Sequence, residues 1–137
     1  MKIEPYLFFD GRCEEALAFY KTALGAETTM LMRYKDCPEP ASPGMIPPGS
    51  ENKVMHASMR IGDATVMCAD GVMGDKNKFD GVSLVYNAKD GAEADRAFAA
   101  LSQGGAITMP LGKTFFSPKF GMLTDRFGLG WMVILEQ

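Results

Sequence analysis

One imidazole, three thiols and eleven thioethers are the side chains of this sequence that offer chemistry beyond that of ordinary surface acids and bases. The imidazole is His56, inside Val54-Met55-His56-Ala57-Ser58-Met59-Arg60-Ile61, a run that reads as a β-strand. Strand side chains alternate between faces. His56 therefore either packs as a structural residue under a covering helix or stands on the other face as a polar anchor or general base. Asp63, Asp70 and Asp125 are the carboxylates to test beside it in the second case. The thiols Cys13, Cys37 and Cys68 lie 24 and 31 residues apart, odd in number and without a C-x-x-C pair. That pattern is neither a disulfide framework nor a zinc knuckle, and it points to a reducing cytoplasm. Met30, Met32, Met55, Met59, Met67, Met109, Met122 and Met132 all fall in expected strands. They are either core filling or the lining of an apolar pocket that adapts to its ligand. Trp131 and Phe115-Phe116 are candidate aromatic walls; Arg33, Arg60 and Arg126 either hold an anionic group or form surface ion pairs.

Other chemistries are excluded by motif. There is no P-loop, no G-x-G-x-x-G opening a helix after a strand and no G-x-S-x-G, and a single histidine leaves one base for any Cys–His or Ser–His pair. With 14 basic against 17 acidic side chains the net charge is −3, which lacks the basic excess that phosphate recognition requires. No apolar run approaches the ~18 residues of a membrane span. The opening Met1-Lys2-Ile3-Glu4-Pro5 also lacks the apolar stretch of a signal peptide.

The elements that must carry these residues form two similar series. A composition of 47% hydrophobic and 23% charged residues over 137 positions fits one globular domain. Tyr6 to Phe9 reads as a strand, and Cys13, Leu17, Tyr20 and Leu24 stripe a helix that stops at Gly25. Residues 27–34 form a second strand. Between Cys37 and Gly49 lie five of the eight prolines, so this segment is a loop, either a lid or a passive insertion. A hairpin follows, 54–61 with 64–69, and then a linker at 71–80. The order then begins again. Residues 82–86 form a strand, and Asp90 with Glu93 has the form of a capping box before a helix striped by Ala94, Ala97, Phe98 and Leu101. A strand at 106–110 and a hairpin of 121–126 with 131–135 complete it. Gly25-Ala26 parallels Gly105-Ala106, and Arg60-Ile61-Gly62 parallels Arg126-Phe127-Gly128. The expected fold is α+β, a single domain 1–137 of two βαβββ modules, 1–72 and 79–137, whose sheets form a cup.

Several stretches resemble a known family. Pro5-Tyr6-Leu7-Phe8-Phe9-Asp10-Gly11-Arg12-Cys13-Glu14-Glu15-Ala16, Met55-His56-Ala57 with Arg60-Ile61-Gly62-Asp63, and Asp125-Arg126-Phe127-Gly128 with Trp131 are similar to the PhnB-like branch of the vicinal oxygen chelate superfamily, the glyoxalase, bleomycin resistance and extradiol dioxygenase fold. The resemblance covers the whole chain. It implies metal ligands on the first and last strand of each module, which here fall at Pro5, Met67, Gly81 and Met132, or one position away at Glu4, Cys68 and Val82. Neither set suits a hard divalent cation, so the expectation is no metal and no cofactor. Branch relatives often carry a demethylubiquinone methyltransferase label, yet no glycine-rich loop for S-adenosylmethionine stands in this sequence. The resulting expectation is a metal-independent protein that holds a small molecule with His56, Met67, Met132, Trp131 and Arg33, as a cytoplasmic homodimer without nucleic-acid or membrane partners. The alternatives are a lyase, isomerase or dioxygenase relative with atypical site residues, and a structural dimer with a vestigial cup.

Overall fold

The computed structural model of the protein describes residues 1–37, 49–71 and 78–136. It divides into two compact units, Met1–Asn77 and Lys78–Gln137. The first runs β1 (Tyr6–Phe8), α1 (Cys13–Leu24), β2 (Glu27–Arg33), β3 (Val54–Ile61) and β4 (Ala64–Ala69), with a 3-10 turn at Tyr34–Asp36. The second runs β5 (Ser83–Ala88), α2 (Gly91–Ser102), β6 (Ala106–Gly112), β7 (Phe120–Thr124) and β8 (Gly130–Leu135). Each unit is therefore a βαβββ module with one four-stranded mixed sheet, in the order β1-β4-β3-β2 and β5-β8-β7-β6. In each, the first strand lies parallel to the last and the remaining pairs are antiparallel. No helix among the described residues is long and apolar enough to cross a membrane. The question of a lid or a passive insertion falls mainly on 38–48, outside the described residues.

The two halves agree to the level of an irregularity. β2 carries a bulge between Thr28 and Met30, and β6 carries one between Ile107 and Met109. The glycine correspondence differs by one residue from the sequence alignment. Gly25 closes α1 with φ 71, and the matching left-handed glycine after α2 is Gly104 at φ 78, not Gly105. Gly105 cannot take a side chain for another reason: its Cβ would overlap the Thr124 carbonyl oxygen. The arginine correspondence also differs. Arg60 lies in β3, whereas Arg126 lies in the turn between β7 and β8.

Each helix packs on one face of its own sheet. Cys13, at the start of α1, is buried with its Sγ 3.5 Å from that of Cys68 in β4, which assigns Cys68 to the helix-covered face. Leu7 and Ala57 stand in register with Cys68 and share that face. The buried Cys13 thiol is pushed well above the ordinary thiol range, first by its hydrogen bond to Cys68 and then by burial. Such a thiol is chemically quiet. In the second module the helix-facing row is fixed by Gly121, where a Cβ would meet Phe98 of α2 at 2.6 Å. Val133 and Tyr86 share its register.

Helix α1 begins without a capping side chain of its own, because Arg12 occupies the N-cap position. Asp70, just past β4, supplies the missing acceptor. Its carboxylate takes hydrogen bonds from the Cys13 amide at 2.8 Å and the Val54 amide at 2.7 Å, while its own amide donates to the Val54 carbonyl. One buried side chain thus joins the helix start, β3 and β4, with its charge at the favourable end of the helix dipole. At α2 the expected capping box is half formed. The Glu93 amide donates to Asp90, but the Glu93 carboxylate accepts from the Lys89 amide and from the Tyr86 hydroxyl at 2.7 Å.

Two outcomes follow from these contacts. Asp70→Ala leaves two buried amides without acceptors and lowers unfolding free energy by about 3 kcal/mol in urea titration, whereas Asp63→Ala in the exposed turn stays within about 0.5 kcal/mol. Burial, and then the hydrogen bond to Glu93, pushes the Tyr86 phenol up to about 12 from 10.0. A raised folded-state value means the folded protein keeps this proton longer than the unfolded chain. The stabilisation is therefore complete below pH 10 and is lost as pH rises to 12. The stability of Tyr86→Phe falls less steeply than that of the native chain across that window.

Candidate functional site

The face of each sheet that the helix leaves uncovered follows from the register. In the first module, Tyr6 pairs with Met67, Met67 with Ser58 and Ser58 with Met30, so one row of side chains runs Met30-Ser58-Met67-Tyr6 across the sheet. These neighbours alternate with the helix-facing row of Leu7, Cys68 and Ala57 and so lie on the opposite face. Met32 and His56 are partners in the adjacent row, and Phe8 lies one pleat beyond Tyr6. In the second module the corresponding row is Met109-Met122-Met132-Val85. Tyr6, Phe8, Met30, Val85 and Met109 are exposed, although each is large and apolar.

Polar groups on the first module's uncovered face are few. The Tyr6 hydroxyl lies 2.9 Å from His56 Nδ1, and the two rings are tilted with centroids 5.5 Å apart. Phe8 continues the stack at 5.0 Å from Tyr6. Burial is the main cause that holds the Tyr6 phenol above its ordinary range. Arg60 on β3 is bound to Glu27 on β2 at 2.7 Å, so this cation is neutralised by an exposed ion pair.

The expected site residues separate into two groups. His56, Met67 and Met132 stand on uncovered faces. Trp131 and Arg33 do not. Trp131 is buried on the helix-covered side of β8, in register with Leu84 and Leu123, and donates its indole N–H to Asp125 at 2.9 Å. Its single polar atom needs a buried acceptor, and Asp125 supplies one while also holding the Phe127 and Leu129 amides. Arg33, at the end of β2, donates to Glu14 of α1 and to the Asn52 carbonyl, both at 2.8 Å, so it ties strand to helix. Asp70 and Asp125 serve as structural acceptors, and the group that orients His56 is Tyr6, which sequence reasoning missed. The signal was present: Tyr6 and Phe8 flank Leu7 with the period of two that separates the faces of a strand.

The superfamily pattern implies a metal, but the residues here do not fit one. Met67 and Met132 offer soft thioethers, Pro5 and Gly81 have no donor side chain, and the Pro5 carbonyl already accepts from the Met67 amide. Shifting the set by one position fails because Cys68 faces α1 and is buried against Cys13. The different surroundings of adjacent residues in β8 have a measurable consequence. Trp131→Ala costs about 3–5 kcal/mol in denaturant unfolding, and Met132→Ala costs about 1 kcal/mol.

Known proteins share both pattern and fold with the chain. The sequence pattern of the family described as 3-demethylubiquinone-9 3-methyltransferase matches residues 1–134. Protein YjdN of Escherichia coli (strain K12) is 33% identical over 138 residues, covering 97% of this chain and 94% of that protein. The crystal structure of protein PA1353 from Pseudomonas aeruginosa is 40% identical, covers 100% of this chain and 98% of its own, and superposes with a TM-score of 0.86. The PhnB protein from Bacillus cereus is 34% identical with a TM-score of 0.81, over 98% of this chain and 99% of that one. At 15% identity, a glyoxylase/bleomycin resistance protein/dioxygenase domain from Frankia sp. EAN1pec shares the fold, with a TM-score of 0.68 over 100% of this chain and 98% of its own. Two βαβββ modules, the match over nearly the whole sequence and the relatives at 33–40% identity assign the chain to the 3-demethylubiquinone-9 3-methyltransferase family, which includes the PhnB protein, with the fold of the glyoxylase/bleomycin resistance protein/dioxygenase domain.

Proposed function

We propose that the protein binds a small, partly hydrophobic molecule, without a metal, against the uncovered sheet faces of its modules. The observation that carries this reading is the pair of corresponding rows, Met30-Ser58-Met67-Tyr6 and Met109-Met122-Met132-Val85. Isolated exposed apolar side chains are ordinary, but contiguous ones mark a ligand or partner surface. Thioethers adjust to ligands of different shape. A few directional polar groups among many apolar ones is the usual make-up of a small-molecule site, and Tyr6, His56 and Ser58 provide it here. The reading includes a cytoplasmic location and a twofold homodimer.

The family's name states a methyl transfer, for which S-adenosylmethionine is the usual donor. The two strand-to-helix turns, both among the described residues, do not fit that cofactor. The turn from β1 to α1 contains one glycine, Gly11, and the Cys13 amide is already held by the Asp70 carboxylate. At the start of α2 the Asp90 carboxylate occupies the Glu93 amide. Fold membership alone does not carry an activity.

Metal analysis of the purified protein, joined to a thermal-shift screen of small aromatic compounds, tests the proposal. The expected result is less than stoichiometric divalent metal and Tm increases that survive chelator; occupancy at 100 times Kd corresponds to about 2.7 kcal/mol. Met67→Asp or Met132→Asp removes the increase while the unliganded protein stays folded. Stoichiometric tightly bound divalent metal, or Tm increases abolished by chelation, overturns the reading.

A further inference from the structure

The Tyr6–His56 pair fixes more than a ring orientation. A neutral imidazole has one N–H donor and one bare acceptor nitrogen, and the partner of one nitrogen decides the role of the other. Tyr6 Oη is 2.9 Å from Nδ1. A phenol is a much better donor than a neutral imidazole N–H, and an imidazole nitrogen is a much better acceptor than a phenol oxygen, so O–H···Nδ1 is the favoured arrangement. The proton of the ring then sits on Nε2. Among the described residues, Nε2 has no hydrogen-bond partner, and the face around it carries Tyr6, Phe8, Met32 and Met67.

We propose that His56 Nε2–H is the polar recognition element of the first module, held as a donor by Tyr6, and that it selects a neutral aromatic ligand carrying an oxygen acceptor such as a carbonyl. The proposal rests on the binding reading above and specifies its chemistry. Neutrality follows from the ion pairs of Arg60 with Glu27 and of Arg33 with Glu14, which leave this sheet, among the described residues, no unpaired guanidinium to hold an anion. The aromatic preference follows from the Tyr6–Phe8 rings beside the imidazole, which offer a flat apolar partner for a ligand ring. In this scheme Tyr6 is a positioning residue, and His56 is the group that touches the ligand.

Because His56 is the chain's single histidine, nitrogen-15 NMR of the imidazole reports on it without assignment. At alkaline pH the native protein is expected to show the Nε2–H tautomer, with a hydrogen-bonded Nδ1 whose resonance moves in Tyr6→Phe. Acetophenone and ethylbenzene, which differ by the carbonyl oxygen, are the ligand probes. Acetophenone is expected to bind about 3- to 10-fold more tightly, to shift the Nε2 resonance, and to lose that preference in His56→Phe. In Tyr6→Phe the preference falls part of the way. A dominant Nδ1–H tautomer overturns the inference, as does equal binding of the two probes to the native protein; equal binding leaves the broader reading standing. If neither probe perturbs any resonance of β1, β3 or β4, both fall together.

Discussion

A single twelve-residue helix cannot cover both faces of a four-stranded sheet. It is about 18 Å long and 10 Å wide, enough to bury one side of strands set about 4.8 Å apart and no more. Each module of this protein meets that limit in the same way. Small or apolar side chains such as Ala57, Cys68, Leu123 and Val133 go under the helix, and a set of thioethers, Met30, Met67, Met109 and Met132 among them, stands on the other face. The division of side chains between faces is thus the condition from which core, site and chemistry follow.

The covered side is held by acids that resemble catalytic groups in sequence and are structural in fact. Asp70 caps α1 from the end of a strand, and Asp125 gathers two turn amides and the indole of Trp131. A buried carboxylate with several N–H donors is stable because each of its oxygens exchanges water for an N–H partner. These acids are therefore committed to the fold. Left uncommitted on the other face of the first module is a histidine hydrogen-bonded to a phenol among thioethers.

The sequence makes the elements legible because their punctuation is strong. Gly25, Asp90, the Gly62-Asp63 turn and the apolar stripes of both helices mark boundaries that the structure repeats within a residue or two. Which face a strand residue occupies is harder to read. The sequence leaves His56 two orientations, and the register of its neighbour Ala57 with Cys68 decides between them. Trp131 suits an aromatic wall and a core equally well by type; its position opposite Leu123 on the covered face is a long-range fact. Arg33 likewise gives no local sign of Glu14, nineteen residues earlier. The methionines divide the same way, with Met59 buried in the core and Met67 on the uncovered face of the neighbouring strand.

The bulges in β2 and β6 explain part of that difficulty. Glu27 shares a face with its partner Arg60 and Met30 shares one with Ser58, though an unbroken strand would set residues three apart on opposite sides. One unpaired residue near Thr29, and another near Thr108, reverse the alternation and turn Met30 and Met109 away from the helix. Backbone length, and not side-chain identity, is what assigns these thioethers to the outer surface. Losing a single codon in either strand would leave composition almost untouched and yet turn the surface inside out. In a protein of this design, point substitution retunes the site gradually, while insertion and deletion act as a reversal.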